Sequence, residues 1–268
     1  ARCLLTRAEV SEVHLIAAPW QYDSLCEAVS QDALKLHIHT VPLGRSALSR
    51  NLWYYARLPL LAEQLEADIV HFAYPAPLHR RAFQCPTVVT LHDLYPYDIP
   101  ANFRFPKVLF NRMILKQCLR AADAIACVSQ STLGRLDAHA PQYALQKAVT
   151  IYNCVEPGPP MAARSPSPAW KGEPFLLCVA QHRRNKNVLL AVEVFRRLLL
   201  NGDIRPSALL VVIGIEGPET AHIHQRIDSA GLARQVVLLH GVSDPELQWC
   251  YGHCELLIAP SIVEGFGL

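Results

Sequence analysis

Short apolar runs of strand length alternate along this chain with segments whose apolar residues recur at helical spacing. That alternation constrains the fold more than any single motif. Residues 13–19, 36–41, 67–72, 87–91, 123–128 and 149–153 read as strands in the first half. Helical patterns lie between them, at 24–30, from Ser46 through Leu48, Leu52, Tyr55, Leu61 and Leu65, and over 105–119. Pro59 is expected to kink the second of these, and Ser129 or Ser131 to cap a helix running through Leu136. Strands joined by helices make right-handed βαβ units and a parallel sheet. Six prolines then cluster with Gly158 and Gly172 between residues 156 and 174, where no regular element can form. The alternation restarts beyond them, with strands at 175–179, 209–213, 236–240 and 256–259 and helices at 188–200, 219–230 and 245–251. The expected architecture is α/β, with a first domain over 1–156, a linker over 157–173 and a second domain over 174–268.

Composition excludes several classes. Apolar residues make up 51% and charged residues 18%, a globular balance rather than a disordered one. The longest apolar runs are strand-sized, well short of the roughly 20 residues a membrane helix needs, and the start does not resemble a signal peptide. A net charge of +2 is too small to point to nucleic acid. Nine cysteines are scattered without a C-x-x-C pair, which suits free thiols in a reducing cytosol. Cys250, His253 and Cys254 stand at helical spacing, readable as metal ligands or as the core face of a short helix. No Asp-x-Asp occurs, so the commonest device for holding a divalent ion on a diphosphate is missing and no metal is expected. A start at Ala1 without methionine and a stop at Leu268 inside a loop lead us to expect a piece of a longer protein.

Ligands of open α/β sheets bind beyond the carboxyl ends of the strands. Three groups fall there. His92 follows the strand at 87–91. Gln181-His-Arg-Arg-Asn-Lys186 places three cations between a strand and a helix, an arrangement that attracts anions. Glu264-Gly-Phe-Gly267 follows the last strand, and its glycines leave backbone N–H groups bare for a ligand's oxygens. Strand, glutamate and glycine loop suit a ligand both hydroxylated and phosphorylated.

Thr90-Leu-His92-Asp93-Leu, residues 122–129, Ile151-Tyr-Asn153, Lys186-Asn187 and residues 260–268 resemble, in order and spacing, the landmarks of glycosyltransferase family 4. The resemblance implies two Rossmann-like domains of the GT-B type facing each other across a cleft, the second truncated. It implies a retaining transfer, without metal or other cofactor, from a nucleotide-sugar donor to a glycan or lipid-linked acceptor. His92, Lys186 and Glu264 would then be catalytic: Lys186 on the departing diphosphate, Glu264 on donor-sugar hydroxyls, His92 at the donor sugar. Arg183, Arg184, Val242, Ser261, Gly265, Phe266, Gly267 and Leu268 would bind the donor. The sequence departs from the family at Gln181, where an arginine is frequent and where Arg183 or Arg184 must substitute. The family's N-terminal glycine-rich loop is absent, and its second glutamate, eight residues after the first, lies past Leu268. A sugar-nucleotide epimerase or a non-catalytic sugar-nucleotide-binding module would share the fold. The first would need further acid and base carboxylates, and the second would not need His92, Lys186 and Glu264.

Arg112, Lys116 and Arg120 recur at i, i+4 on the helical stretch 105–119, with Phe105, Leu109 and Met113 expected opposite them. The stripe reads either as the wet side of a surface helix or as a contact for anionic lipid headgroups. The protein is expected in the cytoplasm, and the second reading adds a peripheral position on the inner membrane surface.

Overall fold

The computed structural model describes residues 2–28, 34–103, 105–154, 162–167 and 172–267. Residues 157–161 and 168–171 of the expected linker, residues 155 and 156 before it and the expected donor contact Leu268 lie outside these residues. The chain divides into two compact units, 1–89 with 114–123 and 90–113 with 124–268.

In the first unit, β1 (Val13–Ala17) and β2 (Leu36–Thr40) pair in parallel, Val13 opposite Leu36 through Ala17 opposite Thr40. A helix, Tyr22–Ala28, follows β1. The expected long helix is two. Ser46 caps Ala47–Ala56 by accepting from the Ser49 N–H, and a fresh helix, Leu58–Gln64, starts after Arg57. Pro59 lies in the first turn of the new helix, where its missing N–H costs nothing. β3 (Val70–Phe72) is shorter than the apolar run suggested and pairs in parallel with Thr87–Val89 of β4 (Thr87–Leu91). Asp123 anchors this end, accepting from the N–H and hydroxyl of Thr87 and from Arg80.

The helix expected over 105–119 spans Lys107–Ala121 with its faces reversed. Leu115, Cys118 and Leu119 are buried, whereas Phe105, Leu109 and Met113 are more than half exposed. Positions 109, 113, 116 and 120 follow i, i+4, i+7, i+11, which is one helix face. The basic residues Lys116 and Arg120 therefore share the exposed side with Leu109 and Met113 instead of opposing them.

In the second unit, β5 (Ala124–Cys127) pairs in parallel with β6 (Ala148–Thr150), and Ser129, not Ser131, caps the helix Gln130–His139 between them. A second helix, Pro141–Lys147, lies directly before β6, unannounced by any apolar stripe. β5 and β6 are neighbours in one sheet of this unit. The other sheet is formed by β7 (Phe175–Val179), β8 (Leu209–Ile213), β9 (Val236–Leu239) and β10 (Leu256–Leu257), in the order β10-β7-β8-β9 and parallel at every pairing.

Each face of that sheet has its own core. The helices Val188–Asn201 and Thr220–Ser229 cover one, with Phe195, Leu210 and Ile223 fully buried between. Each such side chain contributes about 1.5–3 kcal/mol by leaving water. The helix Asp244–His253 covers the other face over Phe175, Leu177 and Val211, with Trp249 stacked on Phe175. Cys250 is fully buried in this second core, so the core-face reading of 250–254 is the one its packing follows. The last strand is apolar in sequence yet not buried. Among the described residues β10 pairs with β7 alone, and Leu256 and Leu257 are about half exposed. Among the described residues, no helix is long and apolar enough to cross a membrane.

Candidate functional site

Strand order decides where this second sheet can hold a ligand. The chain steps from β7 to β8 to β9 in one direction, then returns past β7 to lay down β10 on its other side. β7 and β10 are therefore neighbours where the strand order reverses, and open α/β sheets hold their ligands at such a switch point. The loop after β7 carries Lys186, and the loop after β10 carries Glu264.

The two loops meet. Lys186 closes a tight turn, Arg184–Lys186, after which Asn187 takes a left-handed conformation (φ 51°) and the helix Val188–Asn201 begins. Asn185, inside that turn, is buried. Its backbone carbonyl accepts from the N–H of Ile262 at 2.8 Å and its side-chain oxygen from Asn102 at 3.1 Å. The bond from Ile262 holds the β10 loop against the β7 loop, where Lys186 Nζ lies 2.5 Å from Glu264 Oε1. Both side chains remain about a quarter exposed, so the pair is reachable from solvent. Burial works to raise the Glu264 carboxyl, but hydrogen bonds from Lys186 and Ser261 outweigh it and hold the group below the usual carboxylate range. It is an anion facing a cation, each available to a ligand of the opposite character.

The glycine loop is pinned from beneath. Ser129 Oγ donates to the carbonyl of Gly265 at 2.5 Å and Thr132 Oγ1 to the same oxygen at 3.0 Å. The residue that caps the helix Gln130–His139 thus also fixes the loop. A Cβ at Gly265 would lie 1.8 Å from the backbone oxygen of His92, so only glycine allows this approach. Gly267 adopts φ 82°, a conformation glycine takes without strain. Phe266 lies 6.3 Å from the ring of Tyr152.

The expected site residues do not all gather at one place. Lys186, Glu264, Ser261 and Gly265 come together, and His92 joins them through its backbone while its side chain is exposed. Arg183 lines a cavity of about 410 Å³ with Lys186, Gln181, Tyr95 and Gly214. Arg184 lines a separate cavity of about 470 Å³, shared with Arg183, Asn187, Glu219 and His222. Of the two arginines expected to replace the one missing at position 181, Arg183 is therefore the one beside Lys186. Val242 packs against the core under the helix Asp244–His253 and lines neither cavity.

Three features escaped the sequence reading. Tyr95 OH points at Glu264 Oε2 from 3.4 Å, and burial, then the Glu264 charge, pushes its phenol up to about 12. Asp93 is held above the ordinary carboxylate value, chiefly by burial. His182 is fully buried, with Nδ1 at 3.0 Å from Thr220 Oγ1 and no partner for Nε2 among the described residues. Burial and the neighbouring His240 keep its imidazole below the usual histidine value. Only the Tyr-Pro-Tyr-Asp run after His92 offered a signal for the first of these, an aromatic hydroxyl three residues past a strand-end histidine.

Comparison with known proteins follows the same lines. The family model described as Glycosyltransferase Family 4 matches residues 6–158, and the model described as Glycosyl transferases group 1 matches residues 162–268. The O-antigen chain mannosyltransferase RfbU of Salmonella typhimurium is 26% identical over 183 residues, 67% of this chain and 47% of that protein. The match thus spans about half of that curated relative. Alr3699/HepE of Anabaena, solved in complex with UDP and glucose, superposes with a TM-score of 0.56 at 19% identity, over 95% of this chain and 68% of that one. Sucrose-phosphate synthase from Thermosynechococcus elongatus gives 0.56 at 17% identity, over 86% and 61%. At these identities the structural likeness speaks for the fold, an α/β GT-B type with Rossmann-like domains. The two family matches, end to end along the sequence, carry the assignment: the chain belongs to glycosyltransferase family 4.

Proposed function

We propose that the protein is a retaining, metal-independent glycosyltransferase that moves a sugar from a nucleotide-diphosphate donor to a glycan or lipid-linked acceptor. The observation that carries the reading is the Lys186–Glu264 pair, 2.5 Å apart at the switch point of the second sheet. Without donor, the two charges neutralise each other. A donor replaces that bond with two of its own, its diphosphate drawing Lys186 and its sugar hydroxyls taking Glu264 Oε1. Arg183, in the same cavity, adds a second cation for the phosphates. As the bond from the anomeric carbon to the diphosphate oxygen breaks, its electron pair passes to that oxygen, and fixed cations stabilise the charge. The acceptor hydroxyl bonds to the anomeric carbon on the face just vacated and gives its proton to the departing phosphate oxygen. Residues 1–156 would serve the acceptor and 174–268 the donor, separated by the linker 157–173.

The acceptor side of the reading rests on the helix Lys107–Ala121. Its exposed face sets Leu109 and Met113 beside Lys116 and Arg120, a mixture that suits the boundary between headgroups and acyl chains. A lipid-carried acceptor would be met there, at the cytoplasmic surface of a membrane.

A thermal-shift screen of nucleotide-diphosphate sugars tests the donor assignment, because a ligand that binds only the folded state raises its melting temperature. At least one should stabilise the protein, and Lys186→Ala should weaken the effect. No stabilisation by any nucleotide sugar would contradict the reading.

A further inference from the structure

We propose that Tyr95 is a positioning residue for the donor sugar, anchoring one oxygen of Glu264 so that the other can pass from Lys186 to a sugar hydroxyl. The inference rests on the donor reading above and adds a residue to which that reading gives no task. The Glu264 carboxylate, which also accepts from Ser261, offers its two oxygens to different partners on its other sides. Oε1 faces Lys186 at 2.5 Å, and Oε2 faces the Tyr95 hydroxyl at 3.4 Å. A carboxylate rotates easily about its last bond, since the energy well of that torsion is broad. When a diphosphate draws Lys186 away, an unanchored carboxylate would turn with the ammonium group. The phenol at the second oxygen opposes that rotation, and a long donor-free hydrogen bond of this kind can tighten once a ligand closes the site.

Tyr95 is itself firmly placed. It opens a one-turn helix, Tyr95–Asp98, whose first N–H donates to Asp93 Oδ1 at 3.1 Å. At the other end the Asp98 side chain is fully buried, bound by Arg135 and by His139. Between them Arg112 Nε donates to the carbonyl of Pro96 at 2.7 Å, with its guanidinium over the ring of Tyr97. Three clamps on four residues leave the phenol little freedom. It also stays protonated across the neutral range, its hydroxyl titrating at about 12, so it remains a donor.

Tyr95→Phe removes the hydroxyl and keeps the ring. The test measures affinity by calorimetry for two probes, the nucleotide sugar that most stabilises the wild type and the matching nucleoside diphosphate. The diphosphate should bind the variant within twofold of wild type. The nucleotide sugar should bind roughly three- to tenfold more weakly, the range one neutral hydrogen bond supports. In a Glu264→Ala background, where the acceptor is gone, Tyr95→Phe should add no further loss. Equal weakening of both probes would mean that Tyr95 only supports the loop, and an unchanged sugar affinity would mean that the phenol does not hold Glu264. Either outcome overturns the inference and leaves the donor reading standing. A wild type that binds neither probe overturns both.

Discussion

Gly265→Ala is the substitution whose outcome the geometry fixes most tightly. The added Cβ would stand 1.8 Å from the His92 carbonyl oxygen and 2.9 Å from its carbon, where ordinary contact begins at 3.4 Å. The nearest clash is with backbone, so no side-chain rotation relieves it and the two segments must separate by about 1.6 Å. Two routes compete. Straining the framework around His92 resembles overpacking, at about 1–3 kcal/mol or more. Lifting the loop stretches the bonds from Ser129 and Thr132 to the Gly265 carbonyl, now 2.5 and 3.0 Å, beyond hydrogen-bond range. That route costs about 1 kcal/mol per bond and leaves both cores of the second sheet intact. The loop route should win. Urea unfolding is expected to show a loss of roughly 1–2 kcal/mol, while donor affinity falls more than tenfold because Glu264 moves with the loop. Gly252→Ala is the control: it lies in the helix Asp244–His253 with nothing within 4 Å of the new Cβ, and should stabilise by about 0.5–1 kcal/mol. Wild-type donor affinity in Gly265→Ala would refute the claim that this close approach builds the site.

Three further outcomes are expected. Lys186→Ala should lower kcat at saturating donor by about a hundredfold or more, as loss of one group facing developing charge does; an unchanged kcat would assign the loop to solvent. Transfer should persist in a chelator, and loss of activity restored by manganese would contradict metal independence. Asp123 should make stability pH-dependent: burial raises its carboxyl, but hydrogen bonds from Arg80 and Thr87 outweigh this and hold it below the unfolded value of about 3.9. Its contribution is then complete above that value and lost as pH falls through the folded one, so Asp123→Asn should flatten the acid limb of the stability curve.

The chain's architecture was largely legible because its strands are nearly continuous apolar runs. β4, β7 and β8 fall where the apolar residues do, as buried parallel strands allow. Tertiary context decided the rest. Periodicity placed the helix over 105–119 but chose the wrong face, since Leu109 and Met113 satisfy a helical stripe as well as Leu115, Cys118 and Leu119 do. Composition marked 256–259 as apolar, yet burial depends on sheet position, which strand order sets. Motif spacing placed Lys186 and Glu264 at strand ends, whereas their contact follows from the return of β10 past β7. Tyr95, Ser129 and Thr132 were harder to see, because each acts on residues more than 130 positions away through one hydroxyl.

Recognition of the diphosphate by Lys186 is the claim on which the functional account stands. Calorimetric affinities of a nucleoside diphosphate and its monophosphate, for wild type and Lys186→Ala, test it directly. The wild type should prefer the diphosphate by at least about tenfold, a difference of about 1.4 kcal/mol, and Lys186→Ala should abolish the preference. A preference that survives the substitution would contradict it.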